Sequence, residues 1–453
     1  MRRSHVIRGG AVLAAAAVIA ATCLPAGMQP VAAATPKLKL GANSRLAPGV
    51  YYRSVKFTNG SGAQRAYVVS ADLTVPGVSF VPATSTTTPG RVGRTQNVTT
   101  TVTQQKAVAG INADQFDPLT GIPLGGIMTS SSLLKTPFLV RRASTVYVLP
   151  DGTVHVGTLT FKGSVTLVSP SATPPYDNPS PSPSSGSTAT PSPTDSSSPT
   201  PTDSTTSLTF PLTSVNTPAD ANAGKLTMFT SSLTSVKLNK CVTATGSWSA
   251  ATSTLTIWGL WGKSTTHGQL ASTDRTIAGC GAAGTWLSTN LKLGSQLSIS
   301  YSLTSPSGTP VQMISSAGLI VKAGAGYSDP AAITTFGLNP ESALCVSQDG
   351  RQVKLVAVDG RQGKKAPGVT IPQLRDLLLS LKCYTGVVLD GGGSTSLAVK
   401  PSGKATRLVN TPSGSGKERR VPDVILIKYA KPGAAKKAAA KKAAAKKAAA
   451  KKR

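Results

Sequence analysis

The chain has 453 residues, a formal net charge of +30 at pH 7 and 39% hydrophobic residues. That apolar share supports a sizeable folded core, and the length accommodates two or three average domains. The three histidines are scattered and no Cys-x-x-Cys occurs, which excludes a zinc site of ordinary spacing.

In chain order, a basic start (Met1-Arg2-Arg3, Arg8) precedes an apolar run over 11–21 and the small residues Ala32-Ala33-Ala34. This pattern predicts a secretory signal peptide over 1–34, with the mature chain starting at Thr35. Twin-arginine export through Arg2-Arg3 ranks second, because His5 stands where an apolar residue is wanted. Lipid attachment at Cys23 ranks lower still, because Thr22 precedes it. Export would leave Cys241, Cys280, Cys345 and Cys383, an even set that predicts disulfides. Three pairings are possible, and proximity favours Cys241–Cys280 with Cys345–Cys383. No later segment is long and apolar enough for a membrane span.

Strand-like segments follow at 66–75, 146–156, 157–168, 208–215, 226–230, 254–258, 296–303, 354–358 and 424–427, punctuated by Gly, Pro, Asn and Asp. Residues 170–207 are dominated by Pro, Ser, Thr, Asp and Gly and cannot bury a core, so they are expected to be disordered. This stretch reads either as a linker or as a long surface insertion, since loop-closure entropy grows slowly with length. A helix is predicted after Thr370-Ile371-Pro372-Gln373, a capping box with an early proline. Leu374, Leu377, Leu378 and Leu381 give it one apolar face. A weaker helical segment covers 96–107. Trp248, Trp258, Trp261 and Trp286 read as core in a strand-rich stretch, with a sugar-stacking platform as the alternative.

Each helix feeds a short apolar strand that ends in polar residues: 107–111 before Asn112-Ala113-Asp114, and 386–389 before Asp390. Strand ends of this kind assemble sites in α/β arrangements, so the two segments are expected to meet. After Asp390 come Gly391, Gly392 and Gly393, then Ser394, Thr395 and Ser396. Consecutive glycines let a backbone turn tightly or approach a ligand, and successive N–H groups with nearby hydroxyls suit anionic oxygen. A plain glycine turn is the competing reading. Val358-Asp359-Gly360-Arg361-Gln362 and Glu418-Arg419-Arg420 add acids and guanidiniums in turn-like settings. Asp117, before Pro118, reads as turn chemistry.

In order, these motifs resemble the phosphodiester glycosidase family. The resemblance rests on 110–117 with 121–125, 358–362, 389–397, and Asn410-Thr411-Pro412-Ser413 with Glu418-Arg419, and it spans roughly 66–429. It implies a single α+β domain over 35–430, with strand-rich mixed sheets and a few helices, and makes 170–207 an insertion within it. It also implies hydrolysis of a sugar-1-phosphodiester, such as that of N-acetylglucosamine, to free sugar and a phosphomonoester. Catalytic carboxylates are then expected at Asp390 and Asp359, with Asp114 behind them. Asn112 would bind sugar hydroxyls, and Gly391, Gly392, Gly393, Ser394, Thr395, Arg361 and Arg419 would hold phosphate. No metal or other cofactor is expected. Pro340-Glu341-Ser342 departs from the family's Pro-Arg-Thr, and Asn112-Ala113-Asp114-Gln115-Phe116 from its Asn-Gly-x-Phe-Phe. Losing that arginine weakens phosphate binding if it touches substrate.

Residues 431–453 hold ten basic residues and no acid in a Lys-Lys-Ala-Ala-Ala repeat similar to linker-histone tails. Self-repulsion and the lack of an apolar face predict a solvated tail that attracts a polyanion, whether cell-wall polymer, membrane surface or nucleic acid. The expected protein is thus secreted, with cell-wall association as a further expectation, a sugar-1-phosphodiester substrate and an anionic polymer partner. A non-catalytic binding protein for anionic envelope polymers on the same fold is the alternative.

Overall fold

The computed structural model describes residues 35–86, 90–137, 144–168, 208–217, 224–233, 236–238, 241–262, 265–267, 269–329, 337–414 and 416–433. The leader over 1–34, the segment 170–207 and most of the basic tail lie outside them.

The dominant sheet grows from a long hairpin. Val50–Asn59 alternates buried and exposed positions and turns at Gly60-Ser61 into Gly62–Asp72, pairing with it along its whole length. The short Lys39–Leu40 strand adds on one side. On the other side the order runs through Gln352–Val358, Glu341–Val346, Thr385–Val388 and Gly318–Lys322. The leucine-faced helix Ile371–Ser380 packs here, burying Leu374, Leu377 and Leu378 against Val55, Phe57, Val356 and Val388. Its capping box forms as the sequence predicts. The Gln373 backbone N–H donates to Thr370 Oγ1, and the Thr370 N–H donates to Gln373 Oε1 at 3.0 Å. The Cys345–Cys383 disulfide ties this sheet to the chain after the helix, with a Cα separation of 5.3 Å.

A second sheet carries Ala109–Asn112 between Leu397–Val399 and the last strand, Asp423–Tyr429, which pairs in turn with Val78–Thr84. Helix Val98–Gln104 covers it, shorter than the predicted 96–107. Its N-cap Asn97 makes no side-chain cap bond. Glu418, distant in sequence, instead accepts from the Thr99 N–H at 3.0 Å and the Thr99 hydroxyl at 2.6 Å. A carboxylate there satisfies orphan amides and complements the helix dipole.

The third unit is a closed barrel of Thr160–Val168, Thr209–Val215, Leu226–Thr230, Asp274–Cys280, Cys241–Ser249, Thr254–Trp261 and Gln296–Thr304. Its first two strands, which flank 170–207, pair directly with each other. An unpredicted helix, Ala282–Asn290, closes one end with Leu287 fully buried, and Cys241–Cys280 crosslinks neighbouring barrel strands. Trp286 is partly buried against Phe210, whereas Trp258 and Trp261 lie exposed on the barrel wall, 5.8 Å apart edge to face.

Two corrections follow. The strand predicted over 146–156 is a hairpin, Thr145–Val148 with Val154–Gly157, because Asp151 accepts from the Thr153 N–H and Gly152 adopts φ +83° in the turn. The strand-rich fold with few helices stands, but its pairs are antiparallel except for Thr209–Val215 with Leu226–Thr230. Only three α-helices, of seven, nine and ten residues, occur among the described residues. The α+β description thus rests on little helix, and the barrel was not anticipated.

Candidate active site

The two strand ends expected to meet do meet, although they belong to different sheets. Asp390 follows Thr385–Val388 in the large sheet, and Asn112 ends its strand in the second sheet. The Asp390 backbone N–H donates to the Ala113 carbonyl at 2.7 Å, and Asn112 Nδ2 donates to the Asp390 carbonyl at 2.6 Å. The seam between sheets, rather than the carboxyl edge of a parallel sheet, therefore positions Asp390.

Asn112 is fully buried and joins four segments. Besides the Asp390 carbonyl, its Oδ1 accepts from Ser342 Oγ at 2.7 Å and from the Ser396 N–H at 3.0 Å. Its own N–H reaches the Ser396 carbonyl at 3.2 Å. These bonds tie its amide to the seam.

The glycine run turns in a short 3₁₀ segment, Gly392–Ser394, with Gly392 at φ +60°, a left-handed conformation that favours glycine. Three amides of the run are already bonded: Gly392 to the Pro340 carbonyl, Ser394 to Gly391 and Thr395 to Gly392. The run instead gives close approach to charged side chains. A Cβ on Gly392 would lie 3.3 Å from an Arg361 guanidinium nitrogen, and one on Gly393 would lie 3.3 Å from the Arg419 guanidinium carbon. A Cβ on Gly391 would collide with the Glu341 carboxylate. Arg361 also donates to Asn339 Oδ1 at 2.6 Å, and Arg419 donates to the buried Ser394 hydroxyl at 3.3 Å. Two guanidiniums thus approach the run at Gly392 and Gly393, and the buried Glu341 approaches it at Gly391.

Asp359 is buried at the end of Gln352–Val358. Its Oδ1 accepts from the Thr411 N–H at 2.8 Å and its Oδ2 from the Tyr67 hydroxyl at 3.1 Å. Burial raises its carboxyl above the usual range, opposed by these two donors and by Arg65. Tyr67 is pushed up to about 12 by burial and by the Asp359 charge. The neighbouring Asn410 bridges the Leu397 N–H and the Thr395 carbonyl, each at 2.8 Å, fixing the loop that supplies Thr411.

Behind Asp390 lies a buried ionic layer that only partly showed in the sequence. Asp114 accepts from the Gly125 N–H, and its own N–H donates to Asp423 Oδ1 at 2.9 Å. Burial and then the Asp114 carboxylate push the fully buried Asp423 well above the usual carboxylate range; Asp390 adds to this, and Lys135 opposes it. The buried Lys135 ammonium donates to the Leu124 and Gly125 carbonyls at 3.1 and 2.8 Å. Asp423 Oδ2 and the hydroxyls of Thr395 and Ser396 are buried without a hydrogen-bond partner among the described residues. Asp423 ends the polar stretch 418–423, where nothing local marks it as a site residue, and Lys135 sits in an ordinary apolar strand, Ser132–Lys135. Asp117 closes its own turn, accepting from the Leu119 N–H and the Thr120 hydroxyl. Among the described residues, no group of three or more His, Cys, Asp or Glu is arranged to hold a metal ion.

Residues 262–428 match the sequence model of a family described as phosphodiester glycosidase. No curated protein matches. Among solved structures, a hypothetical protein from Synechocystis aligns with a TM-score of 0.64 at 17% identity, over 87% of this chain and 64% of its own. The present chain thus spans just under two thirds of that protein. A protein from Burkholderia pseudomallei K96243 described as a putative exported protein aligns at 0.62 and 13% identity, over 89% of this chain and 98% of its own. Both likenesses show a shared fold. The zebrafish N-acetylglucosamine-1-phosphodiester alpha-N-acetylglucosaminidase catalytic domain, auto-inhibited by its pro-peptide, aligns at 0.43 and 12% identity over 87% and 89% of the two chains. The stretch similar to the phosphodiester glycosidase family, residues 262–428, is the one that carries Asp359, Asp390 and the three glycines.

Proposed function

We propose that the protein hydrolyses a sugar-1-phosphodiester to free sugar and a phosphomonoester. The observation that carries this reading is the placement of Asp390, fixed by two backbone hydrogen bonds at the seam, immediately before glycines flanked by Arg361 and Arg419. In this reading Asp390 faces the anomeric carbon. Arg361, Arg419 and the hydroxyls of Ser394 and Thr395 hold phosphate oxygens across Gly391, Gly392 and Gly393. Paired guanidiniums suit a phosphate by charge and by their forked geometry.

Water adds to the anomeric carbon as the bond from that carbon to the phosphate oxygen breaks; the phosphomonoester leaves with the electron pair, and Asp390 takes the proton that the water loses and returns it to solvent. The second pKa of the phosphomonoester lies near about 6, so departure needs little help from a general acid. Asp114 acts on Asp390 through the buried Asp423 layer, and Asp359, held by Tyr67 and Thr411, is the second candidate carboxylate. Asn112 serves as a positioning residue rather than a sugar ligand, because its amide is already engaged. The two disulfides support an oxidising compartment, hence secretion, and the exported relative agrees with it. No described helix is long and apolar enough to cross a membrane.

A second reading, a non-catalytic binder of anionic polymers, is favoured by Glu341, whose carboxylate opposes phosphate at Gly391. The test is release of sugar from a panel of sugar-1-phosphodiesters by the wild type and by Asp390→Asn. We expect turnover by the wild type and a loss of at least about a hundredfold in the variant, the scale of one essential acid–base or electrostatic group. Equal turnover by both removes Asp390 from the site, and no turnover by the wild type favours the binder.

A further inference from the structure

The large sheet carries an unusual row of charge on the face opposite its helix. Strand register sets Lys39 directly opposite Lys56, and Lys56 directly opposite Arg65. The next strand continues the row with Asp359, whose N–H donates to the Arg65 carbonyl at 2.9 Å. Side chains paired in this way share one face, and neighbouring strands lie about 5 Å apart. Three cations thus stand in line over roughly 10 Å and point to the candidate site.

The alternate residues Val55 and Ala66 pack under the helix, while Lys39 and Lys56 are exposed, Arg65 is partly exposed, and the row ends at the buried Asp359. Like charges directly opposite one another destabilise a sheet; Arg65 is offset by the Asp359 charge beside it, but Lys39 and Lys56 have no ion pair among the described residues. Lys37 and Lys365 extend the row into a groove of about 620 Å³ in which five lining residues are basic and none is acidic.

We infer that this groove binds a polymer of sugar or polyol units joined by phosphodiesters, and leads its terminal sugar-1-phosphodiester to Asp390. This rests on the reading of the site given above. A small anion would be gripped by donors that converge on one point, whereas cations spaced along a line fit charges spaced along a chain. Nucleic acid fits less well, because single strands are held by bases stacking on aromatic rings. The one aromatic lining the groove, Phe57, is buried and faces the core.

The test uses the full chain and the variant Lys37→Gln/Lys39→Gln/Lys56→Gln, whose three sites are exposed. Probes are a labelled oligo(glycerol phosphate) ending in N-acetylglucosamine-1-phosphodiester and a labelled oligothymidylate of equal phosphate number. The basic tail is common to both proteins and cancels in the comparison. We expect the variant to bind the glycerol phosphate oligomer about tenfold or more weakly in 0.1 M salt. The slope of log affinity against log salt should fall by about 2, from three lost contacts at ~0.7 each. KM for a single-phosphate sugar-1-phosphodiester should not change. Unchanged affinity and slope would overturn the inference, as would tighter binding of oligothymidylate than of the glycerol phosphate oligomer. If the wild type cleaves neither substrate, the reading of the site fails, and the affinity difference alone decides the groove.

Discussion

Asn112→Ala separates a positioning residue from a sugar ligand. The substitution removes an acceptor shared by the Ser342 hydroxyl and the Ser396 N–H, and a donor to the Asp390 carbonyl. Ser342 can rotate to find another partner, but the Ser396 amide and the Asp390 carbonyl are fixed in the backbone. Leaving a buried polar group unpaired costs about 1–3 kcal/mol, so two such groups predict a loss of about 2–6 kcal/mol. Asp390 also loses one of the two hydrogen bonds that fix its backbone, and a displacement of about 1 Å in a reacting group lowers turnover by about a hundredfold. Denaturant unfolding measures the first effect, and kcat against a sugar-1-phosphodiester measures the second. A variant within about 1 kcal/mol of wild type that raises KM while preserving kcat would refute the argument, because a residue that only binds sugar behaves in that way.

Further perturbations address the buried charges and the crosslinks. Tyr67→Phe removes a donor that favours the ionised Asp359, so the Asp359 carboxyl should rise further and the acid limb of the pH–rate profile should move to higher pH. An unmoved limb would show that Asp359 ionisation does not govern turnover. The raised Asp423 carboxyl binds a proton more tightly in the folded than in the unfolded chain. Its stability contribution is therefore complete below the ordinary Asp value of about 3.9 and is lost as pH rises towards the folded value. Asp423→Asn should gain stability relative to wild type as pH rises through that window, and a pH-independent difference between them would contradict the assignment. Replacing Cys345 and Cys383 by serine opens a crosslink across 38 residues of sequence. Chain entropy predicts a loss of about 4 kcal/mol, read as a lower denaturation midpoint.

Several parts of this structure are local matters, and for that reason the sequence shows them. Thr370 and Gln373 cap their helix because both partners lie within one turn, and the leucines behind them fix its buried face. Asp390 and the glycines announce a tight polar turn after an apolar strand, and the cysteine pairs found are the ones favoured by proximity. The Pro/Ser/Thr-rich stretch stands out by composition alone. Other features depend on residues hundreds of positions apart and have no local signature. Glu418 caps a helix that begins at Val98, and Lys135 and Asp423 become a buried ionic layer only when the strands that carry them pack behind Asp114. Asn112 reads in sequence as a sugar ligand, yet its amide is drawn into the seam because three backbone or hydroxyl partners converge there on folding. The cation row from Lys39 to Arg65 is invisible in one dimension, since strand register alone aligns its members. By itself the sequence determines which segments are apolar, where they turn and which residues are chemically capable. Tertiary structure decides which of those residues remain available, because burial makes every polar group seek a partner, and only the packed fold supplies it.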